Sequence, residues 1–112
     1  MRIHLIKRKT AEEYAKRNPV SRRAIDIWLT LLKYAEWEKP SDIMATYRTA
    51  DILGNGSNRV VFNVGGNKFR IIGKYIFGRE KVHLFICWIG THSEYDLVCK
   101  RDEQYTINWY SK

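Results

Sequence analysis

The chain is poor in cysteine, proline and acid. Two cysteines among 112 residues, Cys87 and Cys99, do not make a disulfide framework. No Cys-x-x-Cys or Cys/His cluster offers a zinc site. Cys87 sits in an apolar, strand-like run and is expected to be a small core residue. No apolar stretch reaches the ~20 residues of a membrane span. The N-terminal run from Met1 to Lys9 lacks the apolar core of a signal peptide. A reduced, cytoplasmic protein with no membrane partner is expected. The chain also lacks a Walker loop, a dinucleotide fingerprint, carboxylates paired at metal spacing and a nucleophile elbow. The motifs of RRM, KH and zinc-finger modules are missing too. No metal and no cofactor are therefore expected.

What is present is basic and well supplied with core-forming residues. Twenty Lys and Arg against twelve Asp and Glu give a formal net charge of +8 and a pI near 9.7. That balance favours polyanionic partners such as RNA, DNA, the ribosome, an acidic protein or a membrane surface, without choosing among them. The hydrophobic fraction of 45% and the aromatic fraction of 13% suit an ordered globule. The length is that of one domain over residues 1–112, with the tail from about residue 99 left open. Folding at this size buries roughly two-thirds of the unfolded surface, enough for a core without staples.

Residues 2–7 alternate loosely and predict a first strand. Thr10 and Glu13 have capping-box spacing for a helix over 11–18, which Asn18-Pro19 ends. Ser21 is placed to cap a second helix running to about Trp37. Ile25, Trp28, Leu29, Leu32 and Ala35 recur there at helical spacing, backed by Ile27, Leu31 and Tyr34. Lys39-Pro40 breaks the chain before a short helix to about Tyr47. Residues 48–58, rich in Gly and Asn, predict a mobile connection. The tail is polar, then aromatic (Tyr105, Trp109, Tyr110), and suits a final strand or a docking segment.

Residues 59–74 predict a hairpin about a two-residue turn, Gly65-Gly66, where glycine supplies positive φ without steric cost. That register sets Asn63 opposite Lys68, Phe62 opposite Phe69 and Val61 opposite Arg70. Because side chains alternate, Val60, Phe62, Phe69, Ile71 and Tyr75 share one face. Arg59, Asn63, Lys68, Arg70 and Lys74 share the other. A further strand over 81–90, turning at Arg79-Glu80, pairs Tyr75 with Leu84, Ile71 with Trp88 and Arg70 with Ile89. It places Val82, Leu84, Ile86 and Trp88 on the apolar side and brings Thr91-His92 beside Lys68 and Arg70.

Three constellations carry chemistry. The polar face of the hairpin presents cations that suit successive phosphates, arginine bidentately. It serves equally as a solvated outer face, although Ile72, Ile76, Phe85 and Ile89 on it argue that part is covered. Thr91–Asp96 marks a strand-to-helix junction that sets His92, Tyr95 and Asp96 at i, i+3 and i+4. Histidine is a natural acid or base near neutral pH. Thr91 with Glu94 is also a plain capping box. The run Lys7-Arg8-Lys9 with Lys16, Arg17, Arg22 and Arg23 suits RNA backbone or simply a solvated surface. His4 and His83 stand isolated in the sequence.

The hairpin Val61-Phe62-Asn63-Val64-Gly65-Gly66-Asn67-Lys68-Phe69-Arg70, followed by Thr91-His92-Ser93-Glu94-Tyr95-Asp96, resembles the HigB toxins, a family of the RelE/ParE superfamily of bacterial type II toxin–antitoxin systems. The resemblance spans roughly residues 3–98. It implies an α+β fold, with two N-terminal helices packed on one face of a mostly antiparallel sheet. It also implies an endoribonuclease that cleaves messenger RNA, usually in the ribosomal A site of the small subunit. A helix-turn-helix antitoxin of HigA type neutralises such toxins, and the pair binds operator DNA only as the complex. Carried over by motif, His92, Tyr95, Arg70 and Lys68 are the catalytic candidates. Arg59, Asn63, Asn67 and Lys74 are the candidates for RNA binding. The branches of the family differ in which residues do the chemistry. A superfamily toxin aimed at DNA gyrase and a non-enzymatic RNA- or protein-binding module remain alternatives.

Overall fold

A computed structural model describes residues 1–110. The elements are β1 (Arg2–Ile6), α1 (Arg8–Arg17), α2 (Arg22–Tyr34), α3 (Ile43–Thr46), β2 (Asp51–Leu53), β3 (Arg59–Val64), β4 (Phe69–Phe77), β5 (Lys81–Thr91) and α4 (His92–Lys100). One five-stranded sheet runs in the order β1-β5-β4-β3-β2. Only the β1–β5 pair is parallel. The fold is the expected α+β arrangement.

The first helix begins three residues earlier than its capping-box pattern indicates. Lys7 turns the chain with φ 57°, no side chain caps the helix, and Thr10 lies inside it. Ion pairs Arg8–Glu12 and Lys9–Glu13 follow the i, i+4 rule on its outer side. In α2, Ser21 does not cap. Its hydroxyl donates instead to the Asn18 carbonyl at 2.7 Å. The helix stops at Tyr34 rather than Trp37, because Ala35 turns extended and the backbone of Glu36 and Trp37 pairs with the start of β1.

The first core lies between α1, α2 and one face of the sheet. Ala11, Tyr14 and Ala15 of α1, and Ile25, Trp28, Leu29 and Leu32 of α2, meet Val60, Phe62, Phe69, Ile71, Tyr75, Val82, Leu84 and Ile86. Tyr47 sits among Trp28, Trp37 and Phe62, and its hydroxyl donates to the Trp28 carbonyl at 2.6 Å. Ile27, Leu31 and Tyr34, which extend the apolar pattern of α2, remain exposed. A second, smaller core on the opposite face joins Val61, Ile72, Cys87 and Trp88 to Val98 of α4, with Tyr95 and Ile107 against it. No helix among the described residues is long and apolar enough to cross a membrane.

Three expectations are corrected. The segment predicted as a mobile connection contains β2, which pairs with β3 and satisfies its outer backbone groups. The hairpin loop has four residues, Gly65–Lys68, not two, so Val64 pairs with Phe69, Asn63 with Arg70 and Phe62 with Ile71. Gly65 and Gly66 do both take positive φ, at 68° and 66°. The two-residue shift preserves every side chain's face, since the strand period is two. The third correction does change faces. Tyr75 pairs with Leu84 as expected, but a β-bulge opposite Ile72/Gly73 inserts Cys87. Beyond it Ile71 pairs with Ile89 and Arg70 with Gly90. Trp88 therefore lies in the second core, not with Phe69 and Ile71, and Ile89 turns into the first. His4 and His83, far apart in sequence, are direct cross-strand neighbours with ring centres 5.8 Å apart.

The tail does not form a strand. It crosses the second core as turns, tied by Trp109 N–H to the Cys87 carbonyl at 2.8 Å. Bulged Cys87 has no strand partner, so this bond satisfies an acceptor that the ladder leaves over. Ser111 and Lys112, the end of that tail, lie outside the described residues.

Candidate active site

The polar end of the hairpin and the start of α4 meet at Arg70. This arginine is only 7% exposed. Its Nη2 donates to Asn67 Oδ1 at 2.7 Å and lies 3.0 Å from His92 Nδ1, and its Nη1 donates to the Phe69 carbonyl at 3.1 Å. A guanidinium has no acceptor, so the Arg70 contact makes Nδ1 of His92 the lone-pair nitrogen. The proton then sits on Nε2, which faces Asp96 Oδ2 at 3.3 Å. The Asn67 carbonyl, 3.2 Å from Nδ1, is the acceptor available when that nitrogen carries a proton.

Local folding explains this convergence. The four-residue loop frees Asn67 and Lys68 from the β3 ladder. The Lys68 carbonyl accepts the His92 N–H at 2.9 Å. Thr91 caps α4, accepting from Glu94 N–H at 3.2 Å, while Glu94 Oε1 accepts Thr91 N–H at 2.8 Å. The capping box and the site are thus one structure. Gly90, paired with Arg70, has no room for a side chain: a Cβ there would meet the Trp88 ring at 2.4 Å. The glycine lets the bulge-flipped Trp88 lie beneath α4, where its ring centre is 6.2 Å from that of Tyr95.

Tyr95 is half-buried one turn along α4. Burial, then a hydrogen bond to Cys99, the Cys99 thiol and the Asp51 carboxylate push its phenol far above the ordinary value, against the pull of Arg70. A phenol is protonated at neutral pH in any case, and this environment holds the proton on Tyr95 more firmly. Among the described residues no three His, Cys, Asp or Glu side chains converge as they would to hold a metal ion.

The structure brings together Arg70, His92 and Asn67, with Tyr95 close by, and sets the exposed Lys68 on the adjoining loop. Asn63 pairs with Arg70, and its amide reaches the Thr49 carbonyl at 3.4 Å. Lys74 is exposed further along β4, away from the cluster. Arg59 is not part of it. Its guanidinium is 5% exposed and donates to the carbonyls of Gln104 and Ile107 at 3.1 and 2.7 Å. The sequence pattern misses Gly90 and Asp51. A glycine in an apolar strand beside a tryptophan was the available signal for the first; no signal pointed to the second.

Residues 21–98 match the HigB toxin family, described as the RelE-like toxic component of a toxin–antitoxin system. The chain belongs to that family. It is 28% identical over 94 residues to the mRNA interferase toxin HigB of Escherichia coli K12, covering 84% of this chain and 88% of that protein. An mRNA interferase HigB of Shigella flexneri matches to the same extent. One of Escherichia coli O6:H1 is 26% identical over 84% of this chain and 89% of its own. As a HigB-family toxin the protein has an antitoxin as its counterpart. The family match ends at Val98, so the Arg59 clasp and the Trp109 tie involve a tail outside it.

Proposed function

We propose that this HigB-family toxin is an endoribonuclease that cleaves messenger RNA in the ribosomal A site, as one cytoplasmic domain, by metal-independent acid–base chemistry. The observation that carries the reading is the Arg70–Asn67–His92 cluster beside a protonated Tyr95, in a chain of this family. His92 takes the ribose 2′-OH proton at Nδ1, the nitrogen that holds the lone pair. The 2′-oxygen attacks the adjacent phosphorus. Arg70 and Lys68 stabilise the charge that grows on the five-coordinate phosphate. The P–O5′ bond breaks as Tyr95 gives its proton to the leaving 5′-oxygen. The products are a 2′,3′-cyclic phosphate and a 5′-hydroxyl, and the proton held by His92 passes through water to the tyrosinate, which restores both groups. Asn67 orients Arg70, and Asp96 orients His92. Asn63, paired with Arg70, contacts the RNA backbone at the cluster, and exposed Lys74 does so further along β4. Buried Arg59 is left out of RNA binding, since both its bonds go to the protein's own main chain.

An antitoxin of helix-turn-helix type completes the system, and operator DNA is bound through the complex. The test is cleavage of a defined messenger RNA by purified protein, with and without programmed ribosomes, in chelator and in matched magnesium. Ribosome-dependent cleavage lost in Arg70→Ala supports the reading. Cleavage of free RNA removes ribosome dependence. A folded protein that cleaves neither favours the gyrase or binding-module readings.

A further inference from the structure

We infer that the groove between α2 and the β3–β4 loop is the surface on which the antitoxin docks, and that it takes an amphipathic helix with an acidic flank from that partner. The inference rests on the toxin reading above, which supplies the partner; the surface and its chemistry come from this chain.

The outer side of α2 is apolar where a solvated helix is polar. Val20, just before the helix, and Ile27 and Leu31 within it are 78%, 52% and 44% exposed. Their spacing of i, i+7 and i+11 puts them on one stripe. With Tyr34 they are four of the eight large apolar side chains exposed among the described residues, and the other four are scattered over different elements. A contiguous exposed patch of this kind marks an interaction surface. It forms one wall of a cavity of about 440 Å³. The loop residues Gly65, Gly66 and Lys68 form the opposite wall. Gly65 comes so close to α2 that a Cβ on it would lie 3.1 Å from the Ala24 Cβ, which sets the width. Trp28 lines the cavity too, and its buried indole N–H has no hydrogen-bond partner.

Charge chooses the occupant. Helix α2 carries Arg22, Arg23 and Lys33 against Asp26 alone, and Lys68 faces it across the groove. Neither Arg23 nor Lys68 is ion-paired among the described residues. A second copy of this chain, at +8, would bring like charge to the same place. RNA would meet Val20, Ile27 and Leu31, which offer bases nothing to stack on, because the aromatic residues of the lining, Trp28, Tyr47 and Phe69, are buried. An acidic amphipathic helix matches both features, laying apolar side chains along the stripe and carboxylates against Arg23 and Lys68.

The loop has a second side. There the Lys68 carbonyl holds the His92 N–H and Asn67 Oδ1 holds Arg70. A partner seated against Lys68 withdraws that cation from RNA and bears on the catalytic cluster without entering it. Neutralisation is then the blocking of one loop from behind.

The experiment titrates the purified toxin with the antitoxin encoded beside it, using wild type, Ile27→Glu/Leu31→Glu and the milder Ile27→Ala/Leu31→Ala. Messenger RNA cleavage by the free toxin, thermal melting and mass in solution are measured alongside. The Glu pair is expected to weaken antitoxin binding at least about 30-fold, as for loss of an interface hot spot. The Ala pair should lie between, with cleavage and melting of the free toxin unchanged. If the Glu pair does not fold, the Ala pair decides. Unchanged antitoxin affinity overturns the proposal. So does a wild-type dimer that the variants dissociate, which assigns the groove to a second copy, or a loss of RNA cleavage with affinity intact, which assigns it to RNA. Failure of the wild-type toxin to cleave RNA sinks the toxin reading separately, because the affinity measurement does not depend on it.

Discussion

Arg59 and Arg70 are on the same face of neighbouring strands, are 5% and 7% exposed, and are indistinguishable by charge or pattern. Their partners separate them. Arg59 donates to two main-chain carbonyls of the C-terminal tail, which turns its charge into a clasp. Arg70 gives Nη1 to the carbonyl of its neighbour Phe69, but turns Nη2 to Asn67 and to the lone pair of His92, both side chains that can rearrange when a phosphate arrives. A buried arginine is thus structural when all its bonds end on the backbone, and available for chemistry when one guanidinium nitrogen is turned to polar side chains. The difference lies in what the tail and α4 deliver to each arginine.

The largest effect expected is on catalysis at Arg70. Arg70→Ala should lower messenger RNA cleavage about 10²–10³-fold, the usual loss when a transition-state donor is removed. Arg59→Ala should do the reverse, costing about 2–4 kcal/mol of stability by leaving two carbonyls unsatisfied, with cleavage by the folded fraction preserved. Chemical denaturation and single-turnover cleavage on both variants decide this. Exchanged phenotypes would break the comparison.

His92→Ala should reduce cleavage at least about tenfold. Combined with Arg70→Ala it should fall well short of the product of the two losses, because the residues act as a unit. Full additivity in that cycle would show that the 3.0 Å contact has no functional meaning. Asp96→Asn sharpens the same point from the far side of the imidazole. Its pair with His92 is largely exposed, so a decrease of less than about fivefold is expected. A loss as large as that of His92→Ala would make Asp96 a direct participant.

The smallest effect is on pH dependence. Burial raises the phenols of Tyr14, Tyr47, Tyr75, Tyr95 and Tyr110 above their ordinary value. The unfolded chain therefore loses tyrosine protons first once pH passes about 10. Between the unfolded and folded values the native state binds more protons, so stability falls as pH rises. The tyrosine contribution is constant below that window. Urea midpoints at pH 8 and 11 should show a smaller difference in Tyr95→Phe than in wild type. An unchanged difference would mean that Tyr95 is solvated like the unfolded residue.

The helices, the hairpin and the capping box at Thr91–Glu94 were legible because each is local: apolar spacing, paired glycines and a residue three positions on define them. The faces of β3 and β4 were legible for the same reason, and survived a register error because the error was even. Some local cues failed, since neither Thr10 nor Ser21 caps a helix and the glycine turn belongs to a four-residue loop, but the larger misses were non-local. β2 is three residues long, too short for a pattern, and exists because β3 has an edge to satisfy.

The sequence by itself determined the fold class, the basic character and the set of polar residues near the site, since periodicity and composition act along the chain. Only the tertiary structure decided which of those residues meet. The bulge at Cys87 is an odd shift, and it turned Trp88 to the second core and set Gly90 opposite Arg70. The tail then captured Arg59 from more than forty residues away. A guanidinium's role is set by the acceptors within hydrogen-bond reach, and those come from segments that no local pattern ties to it.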